Sequence, residues 1–352
     1  MTTPKMPLMT ALGADWWNDS CAPEEIAEAV SFGAVGGTSN PVIVFQAVKG
    51  RPERWLPVLD RLVVDHPTAT EDDIAWLLIN ELGRAAAAQF LPVFERSHGA
   101  KGYLSIQVSP KYYPNPDRMV AHAVELAALA PNIAIKAPAT AAGIAAMEEM
   151  TARGIRINAT VSFSVAQAVA VAEMLERGLR RARAAGHDEA AIRPYITLMI
   201  GRVDDQLKRV AEKEGIAVAP GLIEQSGIAV FKEAHRIFRT RGYPGTLLAA
   251  AYRHQGHWSE IIGRNVLQTI PYSWWTKFNV SEHTPTLTLD RPVDEAVVAE
   301  LRARFPDFVR AYDVNGMTPP EFVTYGATRH TLNQFLGGYA DLIALVRSRM
   351  LA

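Results

Sequence analysis

Short apolar segments alternate with longer amphipathic segments from one end of this 352-residue chain to the other. The apolar segments have the length of buried strands, and the amphipathic ones repeat apolar residues every three or four positions, as helices do. This alternation is typical of βα units around a parallel sheet. The predicted strands lie at residues 9–15, 34–40, 103–109, 132–138, 155–162, 195–201, 245–252 and 265–271. Eight such strands predict an α/β fold of the (β/α)8 TIM barrel class rather than an open doubly wound sheet.

Two regions exceed a minimal barrel. Residues 51–101 contain at least two helical patterns inserted after the second strand, and residues 292–351 contain further helices after the last strand. The other predicted helices lie at 117–129, 141–152, 164–185, 204–214 and 223–239. We therefore expect one barrel domain over residues 1–352, with a core at about 9–275 and a C-terminal helical extension at about 290–352.

Composition limits the classes of partner. The chain has 36 Lys and Arg against 37 Asp and Glu, so no overall field would attract nucleic acid or an anionic membrane. The single cysteine, Cys21, excludes an internal disulfide framework and a multi-cysteine metal site. No secretory signal pattern and no apolar run of membrane-spanning length is evident. These observations predict a cytoplasmic protein that acts on small molecules.

Lys136 is the most informative polar residue, because it lies within the apolar segment NIAIKAPAT. A lysine buried in a strand tends to lose its proton, and the neutral amine is a nucleophile that forms Schiff bases with carbonyl substrates. The alternative is a lysine that extends from the barrel rim into solvent. From this residue alone, the two interpretations are about equally good.

Other polar side chains also stand at predicted strand ends, where barrels hold their catalytic groups. Asp15 is a candidate general base, and Asn158 and Thr160, two apart on one strand, point to the same side of the sheet. Arg202 and Arg253 follow the sixth and seventh strands, and guanidinium groups there suit a phosphate. His254 and His257 have metal-like spacing, but no third ligand is evident, which favours ordinary loop histidines.

The sequence resembles the transaldolases. The stretch from Lys136 through Pro-Ala-Thr to the INATVSFS segment matches the motif that contains the family's Schiff-base lysine. GGTSNP, GRVDD and AAYRH resemble three further motifs of the family, in the same order. The match extends over roughly residues 10 to 275 and is weaker from Phe278 onward.

The resemblance implies a class I aldolase-type barrel that moves a dihydroxyacetone unit between sugar phosphates without metal or cofactor. Lys136 would form the Schiff base, Asp15 would act as acid and base, and Thr160 would hold the catalytic water. The implied substrate-binding residues are Thr38, Asn40, Asn158, Ser162, Met199, Arg202 and Arg253. A monomer or a homodimer is expected.

Three positions depart from the family pattern. Gln107 stands where transaldolases have Glu, and an amide cannot exchange a proton. The related fructose-6-phosphate aldolases also carry Gln there, but Met199 replaces both their Tyr and the transaldolase Phe. Ala251 replaces a Ser near the expected phosphate site. Two alternatives therefore stay open: an aldolase that releases free dihydroxyacetone, and an idle homologue that only binds a sugar phosphate.

Overall fold

The computed structural model describes residues 3–352 and contains a closed barrel of eight parallel strands in sequence order. Each strand is hydrogen-bonded to its two neighbours, and β8 closes the barrel against β1. The strands are β1 Asp15–Asn18, β2 Gly36–Thr38, β3 Tyr103–Gln107, β4 Ile133–Pro138, β5 Ile157–Thr160, β6 Tyr195–Leu198, β7 Thr246–Ala249 and β8 Val266–Ile270. The prediction of a (β/α)8 TIM barrel is confirmed.

Helices surround the barrel and account for both predicted additions. The α-helices are α1 Lys5–Ala11, α2 Pro23–Ser31, α3 Pro41–Gly50, α4 Pro52–Asp65, α5 Glu71–Arg96, α6 Pro116–Ala127, α7 Ala141–Ala152, α8 Val165–Ala184, α9 Ile200–Glu214, α10 Ser226–Arg241, α11 Gly256–Ser259, α12 Tyr272–Asn279, α13 Glu295–Arg304, α14 Pro306–Tyr312 and α15 Gly326–Met350. The second loop thus carries three helices, and three more follow α12. None of the helices within residues 3–352 has the length and apolar character that a membrane span requires.

The first strand was predicted wrongly. Residues 9–15 were expected to form it, but α1 continues to Ala11, a turn follows, and β1 begins only at Asp15. Met6 and Met9, three apart, are fully buried and give the segment a helical rather than a strand pattern. The buried Trp16 and Trp17 form the strand itself, so β1 ends beside Asp19 and not at Asp15.

Two glycines of β2 make room for these aromatic side chains. A Cβ atom on Gly36 would come within 2.6 Å of the Trp17 ring, and one on Gly37 within 2.8 Å of the Phe90 ring. The glycine pair therefore serves close packing, as expected where a strand meets a large side chain.

The strand register aligns three polar residues on the neighbouring strands β3, β4 and β5. Lys136 on β4 lies opposite Gln107 on β3 and opposite Asn158 on β5. Residues directly opposite each other on neighbouring strands point to the same side of the sheet. The three side chains therefore form one row at the C-terminal half of the barrel.

Helix α15 covers part of the C-terminal end of the barrel. Gly338 packs against α3 so closely that a Cβ atom would come within 2.5 Å of a Val42 methyl group. Tyr339 donates a hydrogen bond of 2.6 Å to Asp72 on α5, and Phe335 lies 5.9 Å from the guanidinium of Arg202. The C-terminal extension thus reaches the end at which barrels hold their active sites.

Candidate active site

Lys136 is enclosed by the barrel rather than extended to solvent. The residue is 4% exposed, and its Nζ donates a 3.4 Å hydrogen bond to the carbonyl oxygen of Ser39. Burial lowers the pKa of the Lys136 amine; Asp19 opposes this shift and Arg202 reinforces it. The rim-lysine interpretation does not fit this position, whereas a neutral, nucleophilic amine does.

The structure does not bring Asp15 to this site. Asp15 is the first residue of β1, at the N-terminal end of the barrel, where its Oδ1 accepts a 2.7 Å hydrogen bond from Lys101 Nζ. Because catalytic groups in barrels come from the opposite ends of the strands, the assignment of Asp15 as acid and base is corrected. Its ion pair belongs to the far side of the molecule.

Asp19 is the carboxylate that stands near Lys136. It follows β1 directly, and its Oδ1 accepts a 2.5 Å hydrogen bond from the Thr38 hydroxyl. Burial raises the pKa of Asp19, while Lys136, the Thr38 hydrogen bond and Arg202 act in the opposite direction. A lowered lysine pKa and a raised carboxyl pKa at one site are the conditions under which a proton moves easily between groups.

Sequence reasoning missed Asp19, although one signal was present. DWWNDS contains two carboxylates, at positions 15 and 19, that flank an apolar pair. A strand centred on Trp16 and Trp17 has its C-terminal end at the second carboxylate. The prediction of a strand at residues 9–15 therefore selected Asp15 instead of Asp19.

Thr38 and Asn40 hold the loop after β2. The Thr38 hydroxyl lies 2.7 Å from that of Thr269 on β8, which links it to both Asp19 and the closing strand. The Asn40 Oδ1 accepts hydrogen bonds from the amides of Val42 and Ile43 and so caps α3. This cap involves only the Oδ1 of Asn40, a residue next to the Ser39 carbonyl that Lys136 contacts.

Asn158 is fixed from two sides inside the barrel. Its Nδ2 donates to Ser105 Oγ at 3.0 Å, and its Oδ1 accepts from Thr197 Oγ1 at 2.7 Å. The side chain is fully buried and lies in the row with Lys136. A preoriented amide of this kind can present its remaining hydrogen-bonding capacity to a ligand.

Gln107 lies beside Lys136 in the strand register, and three further buried side chains lie at the ends of β5 and β6: Thr160, Ser162 and Met199. Gln107 Oε1 and Ser162 Oγ are buried and make no hydrogen bond within residues 3–352. Thr160 Oγ1 lies 3.9 Å from the Met199 sulfur, and the Met199 amide donates to the Ser162 carbonyl at 2.9 Å. Buried polar atoms without partners are rare, so these two oxygens are candidates for contact with a substrate or a water.

The loop after β5 is also strained. Val161 has a φ of 51°, and a β-branched residue in the left-handed region is a genuine outlier. The Gln167 side chain compensates by donating to the Val161 carbonyl at 3.0 Å and to the Ala139 carbonyl at 2.9 Å. These bonds tie the loop after β5 to the loop after Lys136, at a place where strain is typical of functional sites.

Arg202 and Arg253 form a positively charged corner. Arg202 has no carboxylate partner among residues 3–352, and its Nε is buried without a hydrogen bond. Burial, reinforced by Arg253, lowers the pKa of Arg202 to about 10. The Arg253 guanidinium is more exposed and is held by Asp205, with Nη2 at 2.8 Å from Oδ2. Two neighbouring guanidinium groups, one of them unpaired, suit an anion such as a phosphate.

An acidic residue that the sequence did not reveal joins the two loop histidines as a third potential ligand. Asp204 on α9 lies beside His254 and His257, and the potential ligand atoms of the three residues are within 4.8 Å of one another. Fifty residues separate Asp204 from His254, so only the barrel topology brings them together. A third potential ligand is therefore present, although none was evident in the sequence.

Comparison with known proteins agrees with this geometry. Residues 16–311 match the family described as Transaldolase/Fructose-6-phosphate aldolase. A protein of Thiobacillus denitrificans named Transaldolase is 30% identical over 308 residues, 81% of this chain and 84% of its own length. Transaldolase 1 of Streptomyces avermitilis is 32% identical over 253 residues, 69% of this chain and 66% of its own length.

The chain covers different shares of the lengths of these relatives. Transaldolase of Mycolicibacterium smegmatis is 30% identical over 250 residues, 67% of this chain and 65% of its own length. The chain thus spans just under two thirds of the Streptomyces and Mycolicibacterium proteins and more of the Thiobacillus one. The family match over most of the chain is decisive: this chain belongs to the transaldolase/fructose-6-phosphate aldolase family.

Proposed function

We propose that the protein is a transaldolase, which transfers a three-carbon dihydroxyacetone unit between sugar phosphates through a Schiff base on Lys136. The observation that carries the proposal is the enclosed Lys136 amine, whose pKa is lowered, next to Asp19, whose pKa is raised. Family membership supports the reaction class, and the residue chemistry supports the roles below.

The Lys136 amine adds to the C2 carbonyl of a ketose phosphate to give a carbinolamine, which loses water to form an iminium ion. Asp19 takes the proton of the C4 hydroxyl as the C3–C4 bond breaks, and the bonding electrons move into the iminium to give an enamine and a free aldehyde. The enamine then adds to the carbonyl carbon of an acceptor aldehyde, and Asp19 returns the proton. Hydrolysis of the new iminium releases the product and regenerates Lys136.

The remaining site residues bind and orient. Asn158, with Asn40 and Thr38 nearby, would hold the hydroxyl groups of the donor, and Thr160 with Gln107 would hold the water lost and regained at the iminium. Arg202 and Arg253 would hold the phosphate. Because the Gln107 amide cannot exchange a proton, Asp19 and the bound water have to supply all proton transfers.

A borohydride experiment tests the Schiff base. Reduction in the presence of fructose 6-phosphate or dihydroxyacetone should leave a stable adduct on the peptide that contains Lys136, detected by mass spectrometry. The Lys136→Met variant should form none, and Lys101→Met, altered at the far end of the barrel, should form it normally. Absence of any adduct on Lys136 with either ketose overturns the proposal.

A second candidate function is a simple aldolase that releases free dihydroxyacetone, and Gln107 favours it. Release of glyceraldehyde 3-phosphate from fructose 6-phosphate is measured with and without an acceptor aldose. The transaldolase proposal expects sustained turnover only with the acceptor, whereas equal rates without it identify the aldolase.

A further inference from the structure

A buried hydrogen-bond network connects α9 to the loop after β7. Asp204 is fully buried, and its Oδ1 accepts from Ser226 Oγ at 2.8 Å and from the Gly227 amide at 2.9 Å. Its Oδ2 lies 2.8 Å from His257 Nε2 and 3.3 Å from His254 Nε2. Burial by itself would raise the pKa of Asp204, but the hydrogen bonds from the two histidines outweigh it and hold the pKa at about 2.

The network fixes the tautomer of His257. Its Nδ1 accepts a 3.0 Å hydrogen bond from the backbone amide of Arg253, so this nitrogen carries no proton. A neutral imidazole then carries its proton on Nε2, which donates it to Asp204. Burial also lowers the pKa of His257, despite the opposing effect of Asp204, in agreement with a neutral ring.

The same tautomer argues against a metal ion in this cluster. A metal bound to His257 Nε2 would require the ring proton on Nδ1. That proton would then face the N–H group of Arg253, and two donors would meet. The three residues have the composition of a metal site, but their hydrogen bonds assign them another role.

This network holds the backbone of Arg253, one of the two arginines at the positively charged corner. Ala251, two positions before Arg253, has a φ of 67°, so the loop after β7 is strained. Helix α9 packs tightly against the same loop, since a Cβ atom on Gly201 would lie 1.9 Å from the Ala251 carbonyl oxygen. Only the His257 bond anchors the Arg253 backbone amide within the described residues.

We propose that His257, held in one tautomer by Asp204, is a positioning residue that sets the Arg253 backbone so that Arg253 and Arg202 can bind a substrate phosphate together. The inference rests on the proposed function. It extends that function by assigning phosphate affinity to a histidine and a carboxylate that do not contact the phosphate themselves.

Two substitutions of His257 separate its contact with the Arg253 amide from its contact with Asp204. In His257→Asn the side-chain oxygen can replace Nδ1 and still accept from Arg253, whereas in His257→Gln the amide nitrogen can replace Nε2 and donate only to Asp204. Asp204→Asn turns a donor group toward His257 Nε2 and favours the wrong tautomer, as in a catalytic triad. His235→Gln is the matched control, since His235 is buried on α10 outside this network.

Binding of inorganic phosphate, measured by calorimetry, is the primary readout. Loss of one such hydrogen bond should weaken phosphate binding about fivefold or more in His257→Gln and in Asp204→Asn, and less than about twofold in His257→Asn and in the control. Borohydride trapping of dihydroxyacetone, which lacks a phosphate, should stay at the wild-type level in all four. A rise in KM for fructose 6-phosphate without a matching fall in kcat is expected in the same two variants.

The inference is overturned by unchanged phosphate binding in His257→Gln, by an equal loss in His257→Asn, or by phosphate binding that changes when zinc is added or is removed with a chelator. A loss of dihydroxyacetone trapping in parallel with phosphate binding would also reject it, because the network would then only support the fold. If the wild-type protein traps no dihydroxyacetone, the proposed function fails, while the phosphate measurement still decides the role of His257.

Discussion

Asp15 and Asp19 stand at opposite ends of the same short strand, and only Asp19 faces Lys136. Asp15 is paired with Lys101 at 2.7 Å, whereas Asp19 is bound to Thr38 at 2.5 Å within the field of the buried lysine. Only the three remaining residues of β1 thus separate a partly exposed ion pair from a group that can take part in catalysis.

The first prediction compares these two carboxylates. Asp19→Asn should lower kcat by about 10²- to 10⁴-fold, the usual contribution of a general acid or base. Trapping of dihydroxyacetone on Lys136 should persist in this variant, because formation of the adduct does not require the C3–C4 bond to break. Asp15→Asn is the control and should keep kcat within about threefold, since its partly exposed ion pair lies at the opposite end of the barrel from Lys136. A larger loss in Asp15→Asn than in Asp19→Asn would reverse the assignment.

The contrast between these residues shows what could be predicted from sequence. The alternation of strands and helices was enough for the barrel, and the apolar neighbours of Lys136 were enough to place this residue on a strand. β1 was harder, since a strand of four residues next to an amphipathic helix gives a weak pattern. An error of a few residues in the predicted position of a short strand is enough to place a residue at the wrong end of the barrel.

Contacts between distant segments could not be predicted from the sequence, for a different reason. Asp204 gives no sequence signal, His257 is paired in sequence only with His254, and only the closure of the barrel places α9 against the loop after β7. The approach of Phe335 to Arg202 likewise depends on how α15 crosses the barrel. Such pairs follow from packing, which no local pattern encodes.

The second prediction concerns the pH dependence of imine formation. Only the neutral amine attacks a carbonyl, so the trapping rate should rise with pH and level off once Lys136 has lost its proton. Because burial lowers the pKa of Lys136 from its ordinary value of 10.5, the midpoint of this rise should lie clearly below that value. Nα-acetyl-lysine under the same conditions supplies the reference. A midpoint equal to that of the free amino acid would contradict the lowered pKa.

A third prediction tests the amide that lies beside the lysine. Gln107→Glu introduces a carboxylate opposite Lys136 in the strand register, and a nearby negative charge favours the ammonium form. The midpoint of the trapping profile should therefore move upward, by about one pH unit. Gln89→Glu, on the exposed surface of α5, should leave the midpoint in place. An unchanged midpoint in Gln107→Glu would show that burial keeps the new carboxyl protonated, so that it places no negative charge beside Lys136.

The last prediction concerns Gln167, whose fully buried side chain connects the loops after β4 and β5. Its Oε1 accepts from the Phe163 amide at 2.9 Å, and its Nε2 donates to the carbonyls of Ala139 and Val161. Gln167→Leu leaves these three backbone groups without partners and removes the support of the strained Val161. The free energy of unfolding should fall by about 2–4 kcal/mol, because each buried polar group left unpaired costs free energy.

Urea denaturation measures this change through the midpoint at constant slope. The exposed Gln89→Leu serves as the control and should shift stability by no more than about 0.5 kcal/mol. If Gln167→Leu is as stable as this control, the loops hold their conformation without the amide. The strain at Val161 would then be supported by the packing of β5 alone, and not by the hydrogen bonds that join it to the loop after Lys136.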